Sequence, residues 1–136
     1  MTVPRSAIKR LETSEAPLAL GPYSQGVMTT NGNSLVFVSG QLPMDPKTGH
    51  LIAGDIQAMT KQVIENLEAI LRAGGSNLDL VVRTDVFLTD LKDFAAMNEE
   101  YARHFKGQTT PARQTVQVGA LPKGASIEIS CIAVRA

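Results

Sequence analysis

An arginine and a glutamate carry the chemistry that this sequence is best equipped to perform. Arg113 and Glu128 lie in two short segments of alternating character, Ala112–Val118 and Ser126–Val134. A guanidinium binds a carboxylate through two parallel hydrogen bonds and keeps its charge at any ordinary pH. A glutamate carboxylate can accept a proton from water. If both segments are strands, the two side chains either pair with each other or serve one shared ligand.

Four further polar residues fall in loops, at strand ends or on a predicted helix, namely Tyr23, Ser39, Asn98 and Thr115. Tyr23, Ser39 and Asn98 each have a purely structural interpretation as well. The ring of Tyr23 could pack at the edge of the domain with its hydroxyl in water. Ser39 could bond to backbone in a turn, and a buried Asn98 needs hydrogen-bond partners wherever it lies. Residue types alone leave these alternatives open.

The segments around Arg113 and Glu128 are predicted to form neighbouring strands, because a turn built on Gly119, Pro122 and Gly124 separates them. Alternation places Arg113, Thr115 and Gln117 on one side of the first strand. In the second strand, Glu128 and Ser130 lie opposite an apolar side made of Ile127, Ile129, Cys131 and Ala133.

Hydrophobic periodicity predicts the element order β-β-β-α-β-α-β-β. Before the last two strands come a strand within Ser6–Glu12, hairpin strands Gly26–Thr30 and Ser34–Gln41 around Asn31-Gly32, a helix over Asp55–Ala73, a strand over Leu80–Leu88 and a helix over Leu91–Phe105. Helices that join strands favour parallel crossovers, and the hairpins add antiparallel pairs, so a mixed sheet of the α+β class is expected. Both helices cover one face, and we expect another copy of the chain to cover the other.

Composition sets limits on size and partners. The 136 residues suit a single domain, with residues 1–5 expected to be a loose end. Thirteen basic residues balance thirteen acidic ones, which counts against nucleic-acid binding through bulk charge. The sequence shows neither a signal peptide nor an apolar segment of transmembrane length, so we expect a soluble, cytoplasmic protein without a membrane partner.

Metal and thiol chemistry are not expected. Cys131 is the only cysteine, which excludes an internal disulfide and a multi-cysteine zinc site, and its apolar strand face predicts a buried, unreactive thiol. His50 and His104 have no companions at ligand spacing. Generic signatures such as GxGxxG, the P-loop, GxSxG and CxxC are missing as well.

Five segments together resemble the RidA (YjgF) family of reactive-intermediate deaminases, which is also labelled endoribonuclease L-PSP. They are GPYSQG at Gly21–Gly26, VSGQLPMDPKTG at Val38–Gly49, the DF…N…Y pattern at Asp93–Tyr101, TPAR at Thr110–Arg113 and LPKGASIEI at Leu121–Ile129. The resemblance extends in order over residues 8–135.

The resemblance implies a chorismate-mutase-like α+β fold, assembled as a homotrimer with the sheets in a central barrel, the helices outside and three clefts between subunits. It implies hydrolysis of imines and enamines such as 2-aminoacrylate to 2-keto acids and ammonia, without a metal or cofactor. Arg113 matches the arginine that clamps the substrate carboxylate, and Glu128 matches the glutamate that positions or activates water. Tyr23, Ser39 and Asn98 match positions that line or support the cleft.

Thr115 departs from the family pattern, because many deaminase members carry cysteine at this position. A thiolate is therefore excluded there, and the range and rate of reaction are open. Two further functions remain as alternatives: a non-catalytic protein that binds a small 2-keto or amino acid in the same cleft, and a translation-inhibiting endoribonuclease. Neutral charge, the 4% aromatic content and the lack of a histidine pair count against RNA cleavage.

Overall fold

A mixed six-stranded sheet with two helices makes up the part of the chain that the computed structural model describes, residues 7–30 and 34–136. The elements are β1 (Ile8–Leu11), β2 (Gly26–Thr29), β3 (Leu35–Gln41), α1 (Ile56–Ala73), β4 (Val81–Leu88), α2 (Phe94–His104), β5 (Ala112–Gln117) and β6 (Ile127–Val134). Their spatial order in the sheet is β1-β2-β3-β6-β4-β5. The predicted element order and the mixed α+β sheet are confirmed.

Both helices connect parallel strands, as predicted. β3 and β4 each pair antiparallel with β6, so they run parallel to each other, and α1 joins them. β4 and β5 pair directly in parallel register, and α2 joins them. The antiparallel pairing of β2 with β3 is confirmed as well. The Asn31-Gly32 turn that was predicted to close this pair lies outside the described residues.

The predicted pairing of the last two strands is wrong, because β4 lies between β5 and β6. β6 buries every second side chain and pairs on both of its edges, whereas β5 is largely exposed and suits the edge of the sheet. The connection after β5 crosses the end of β4. There the amide of Val118 donates to the carbonyl of Leu88 over 2.8 Å, and the amide of Thr89 donates to the carbonyl of Ser126 over 3.2 Å.

The helix boundaries follow local capping chemistry. Asp55 precedes α1, and its Oδ1 accepts a hydrogen bond of 2.9 Å from the amide of Ala58. The second predicted helix begins later than expected, because Leu91–Asp93 form a 3-10 turn capped by Asp90 before α2 starts at Phe94. Neither helix combines the length with the apolar character that crossing a bilayer demands, within the ranges described.

The two faces of the sheet differ in their burial. One face packs on α1 and α2, where the core includes Ile64, Leu67, Ile129 and Cys131. Cys131 is 2% exposed, as predicted, and burial raises the pKa of its thiol to about 12. The other face, called the open face below, has no helix over it and carries the side chains of Phe37, Val116, Glu128 and Ser130, among others.

Candidate active site

Arg113 is held by aromatic rings and an amide rather than by an acid. In β5 it lies beside Thr84 of β4, on the face that packs against α2. Its Nη1 donates to Oδ1 of Asn98 over 2.8 Å. The guanidinium carbon lies 4.7 Å from the ring centroid of Tyr101 and 5.7 Å from that of Phe94. Within the described residues Arg113 forms no ion pair, so its positive charge is not neutralised.

The helix α2 fixes this group through spacing of three and four residues. Phe94, Asn98 and Tyr101 therefore lie on one side of α2 and face β5. The hydroxyl of Tyr101 is 2.7 Å from Oγ1 of Thr84, and burial raises the pKa of that phenol. Asn98, which interrupts the apolar stripe of the helix, has the partner that a semi-buried amide needs.

Thr115 presents a buried hydroxyl without a partner on the same side of β5. It follows Arg113 by two residues, so both side chains leave the strand in the same direction. Its Oγ1 has no hydrogen-bond partner, and it is the one buried side-chain nitrogen or oxygen atom in the described part of the chain for which this is so. A buried hydroxyl without a hydrogen-bond partner is uncommon in folded proteins and carries a desolvation cost.

Glu128 lies in a different place, a cavity of about 480 Å³ that it shares with Tyr23, Ser39 and Gly40. The lining also includes Gln25, Gln41 and Lys123 and the apolar residues Pro17, Leu18, Leu20, Leu42, Met44 and Pro122. Burial raises the pKa of the Glu128 carboxyl above its usual value of 4.5. No hydrogen bond or ion pair to Glu128 occurs within residues 7–30 and 34–136.

The predicted site residues thus fall into two groups, which are called the cation group and the acid group. The cation group comprises Arg113, Asn98 and Thr115, and the acid group comprises Tyr23, Ser39 and Glu128. Glu128 alternates along β6 with buried Ile127 and Ile129, so it projects from the open face, whereas Arg113 projects towards α2. The expected juxtaposition of Arg113 and Glu128 on neighbouring strands is therefore wrong for a single protomer.

Ser39 and Tyr23 keep both of their interpretations. The hydroxyl of Ser39 donates to the carbonyl of Ser24 over 2.5 Å, which is the backbone contact considered above, and the side chain still lines the cavity. Tyr23 lines the same cavity and is 50% exposed, so its hydroxyl is open to a ligand as well as to water.

Gly40 and Gln25 belong to this cavity although sequence reasoning did not single them out. A Cβ atom at Gly40 would lie 2.5 Å from Oε2 of Glu128, so only glycine leaves room for the carboxylate in its present position. Gln25 is 3% exposed and bonds to the backbone of the loop before it. The signal was available for both, because each lies in a quoted motif, at VSGQ and GPYSQG, but neither residue type suggests chemistry.

The described residues contain no group of three or more His, Cys, Asp or Glu side chains placed to hold an ion. His104 instead lies 2.6 Å from Glu100 through Nε2, one turn along α2.

Known proteins resemble this chain over nearly its full length. The family model described as endoribonuclease L-PSP matches residues 13–135. Protein DfrA of Myxococcus xanthus is 50% identical over 96% of this chain and 98% of its own length. The human 2-iminobutanoate/2-iminopropanoate deaminase is 43% identical over 96% of this chain and 93% of its own. The crystal structure of E. coli TdcF with bound serine superposes with a TM-score of 0.85 at 44% identity, covering 94% of this chain and 99% of that one.

Sequence and fold agree in this comparison, and the matched range 13–135 contains both the cation group and the acid group. The chain therefore belongs to the endoribonuclease L-PSP family, the RidA/YjgF family that includes the 2-iminobutanoate/2-iminopropanoate deaminases.

Proposed function

We propose that this protein hydrolyses reactive 2-imino and 2-enamino acids, such as 2-aminoacrylate, to 2-keto acids and ammonia, without a cofactor. Relatives named as deaminases of this kind support the reaction class. Within the molecule, the observation that carries the proposal is the state of Arg113. A fixed guanidinium with an amide and two rings for partners, and no acid, is arranged to bind a carboxylate from outside the protomer.

Glu128 supplies the acid–base step in this proposal. An enamine first tautomerises to the imine by taking up a proton on carbon and losing one from nitrogen. Water then attacks the carbon of the N-protonated imine while Glu128 accepts one of the water protons, which gives a carbinolamine. Glu128 returns this proton to the nitrogen, the carbon–nitrogen bond breaks as the hydroxyl loses its proton, and ammonia and a 2-keto acid are released. A carboxyl whose pKa is raised by burial gives up and takes back a proton more readily near neutral pH than an exposed one does.

A second copy of the chain completes the site. Since the cation group and the acid group face away from each other in one protomer, they meet only where the cation group of one copy adjoins the acid group of another. The open face supports such an assembly, because Phe37 and Val116 are 41% and 39% exposed there. A cyclic homotrimer with three equivalent sites satisfies this arrangement.

The activity is tested with Arg113→Ala and Glu128→Gln in an assay of 2-imino acid hydrolysis, the imines being generated in place by an amino-acid oxidase. We expect both variants to lose acceleration over the uncatalysed rate. Arg72→Ala is the matched control, because Arg72 is an exposed arginine on α1 that pairs with Glu68. Full activity in Arg113→Ala would remove the proposed mechanism. Tight binding of 2-ketobutyrate by a wild-type protein that accelerates nothing would favour the binding-protein alternative.

The shared site is tested by mixing the two inactive chains. Co-expressed Arg113→Ala and Glu128→Gln subunits assemble at random, so in a homotrimer about one quarter of the seams combine an intact Arg113 with an intact Glu128. We expect about that share of the wild-type rate to return. A site contained in one protomer would regain nothing, because every chain in the mixture lacks one group.

A further inference from the structure

The side-chain amide of Gln25 is bonded entirely to the loop that precedes it. Its Oε1 accepts from the amide of Thr13 over 2.8 Å. Its Nε2 donates to the carbonyls of Thr13, Ala16 and Pro17, over 3.0, 3.3 and 2.6 Å. Four contacts from one side chain that is 3% exposed hold residues 13–17 in a single conformation.

The loop that Gln25 holds continues into two largely exposed apolar side chains. Leu18 and Leu20 are 68% and 77% exposed, and no other large apolar side chain in the described ranges exceeds them. Both lie between the cavity that contains Glu128 and a second cavity of about 390 Å³. Their positions follow from the loop backbone, because both residues are largely exposed.

The lining of the first cavity combines polar and apolar side chains. Tyr23, Ser39 and Glu128 line it together with Leu18, Leu20 and Met44. Met44 is fixed from another direction, because Nδ2 of buried Asn66 donates to its carbonyl over 2.9 Å. An imino acid whose reacting carbon lies near Glu128 would place its side chain in the same cavity, where apolar groups are available to contact it.

We propose that Gln25 is a positioning residue and that, through the loop it fixes, Leu18 and Leu20 determine which imino-acid side chain the cavity accepts. This inference rests on the proposed deaminase function and concerns its selectivity. Alkyl side chains bury apolar surface against the two leucines, and shorter side chains bury less of it. Gln25 itself does not touch the substrate.

The test compares imines derived from leucine and from alanine, and the readout is the ratio of their kcat/KM values. An added methylene in a fixed apolar pocket is worth on the order of tenfold, so we expect the wild-type ratio to exceed one. Gln25→Glu places oxygen against three carbonyls and releases the loop, and the ratio should fall by about tenfold towards one. The alanine-derived imine should lose much less.

Leu20→Ala provides a second route to the same result. Its side chain is 77% exposed, so the substitution leaves folding almost untouched, and it should also lower the ratio. Ser76→Ala is the control. It removes a hydrogen bond of 2.7 Å to the carbonyl of Val134 from a residue that is 6% exposed and lies outside both cavities. It should lower the melting temperature and leave the ratio unchanged.

The possible outcomes separate this inference from the proposed function. Wild-type protein that accelerates neither imine removes the function, and the selectivity with it. Active wild-type protein with the same ratio in Gln25→Glu and Leu20→Ala overturns the inference alone. So would a Leu20→Ala protein that dissociates in light scattering while its ratio is retained, because the leucine would then serve assembly instead.

Discussion

The neutral surroundings of Arg113 decide how its charge can be used. A surface ion pair would have satisfied the guanidinium within the protomer, whereas Asn98 and the two rings orient it and leave the charge in place. Chemical type made Arg113 recognisable from the sequence, and so did the TPAR motif. The role of Phe94 and Tyr101 as rings against the guanidinium was not recognisable, because both residues also fit an ordinary apolar helix stripe.

The unpartnered hydroxyl of Thr115 leads to a prediction at the same scale. Thr115→Val keeps the shape of the side chain and removes an atom without a partner, so the free energy of unfolding should stay the same or rise by up to about 1 kcal/mol. Binding of 2-ketobutyrate, measured by calorimetry, should weaken by about tenfold, as for a lost hydrogen bond to a charged ligand. Thr115→Ser should restore the affinity. Equal affinity in all three proteins would exclude a contact with the ligand.

We expect the half-buried carboxylate of Glu128 to lower the free energy of unfolding at neutral pH. Since burial raises the pKa of this carboxyl above 4.5, the folded state holds its proton more tightly than the unfolded state does. Stability is therefore greatest below the unfolded pKa, falls as pH rises through the window up to the raised pKa, and stays reduced above it. Glu128→Gln should raise the melting temperature at pH 7, with the advantage over wild type vanishing below about pH 4. A melting temperature lowered at pH 7 would contradict this.

At the scale of elements, sequence patterns predicted which segments are strands and helices better than which strands are neighbours. The turn residues between β5 and β6 suggested a hairpin, but a turn signal reports only local backbone geometry. The insertion of β4 follows from the pairing of β6 along both of its edges and from the crossover through α2, neither of which a local pattern contains. The separation of Arg113 from Glu128 could not be predicted for the same reason.

The close approach of β3 to β6 makes Gly40 a critical position. A Cβ in Gly40→Ala would displace the Glu128 carboxylate, because the two atoms would be only 2.5 Å apart. A misplacement of about 1 Å can lower turnover about 100-fold, so we expect a loss of kcat of that order with the fold retained in circular dichroism. Gly119→Ala is the matched control, since its Cβ would meet nothing within 4 Å. Comparable losses in both variants would show that glycine in general, rather than room for Glu128, is required.

For the molecule as a whole, the proposed assembly depends on the open face. Phe37 lies in a row across the sheet with Val27 and Ile132, which is apolar surface that no helix of the protomer covers. Phe37→Glu places a charge in that row and should yield a folded monomer, measured by light scattering, with no deaminase activity. Ala102→Glu on the exposed side of α2 should remain assembled and active. A monomeric wild-type protein would refute the shared site.

The opposed orientation of Arg113 and Glu128 has a consequence for enzyme dosage. If the reaction centre is shared between subunits as proposed, a single chain is inert until it meets its neighbours, and catalytic output per chain depends on concentration. Diluted below the point where subunits separate, the rate should decline more steeply than in proportion to protein. Partial expression of such a chain would then protect a cell disproportionately little against reactive imines.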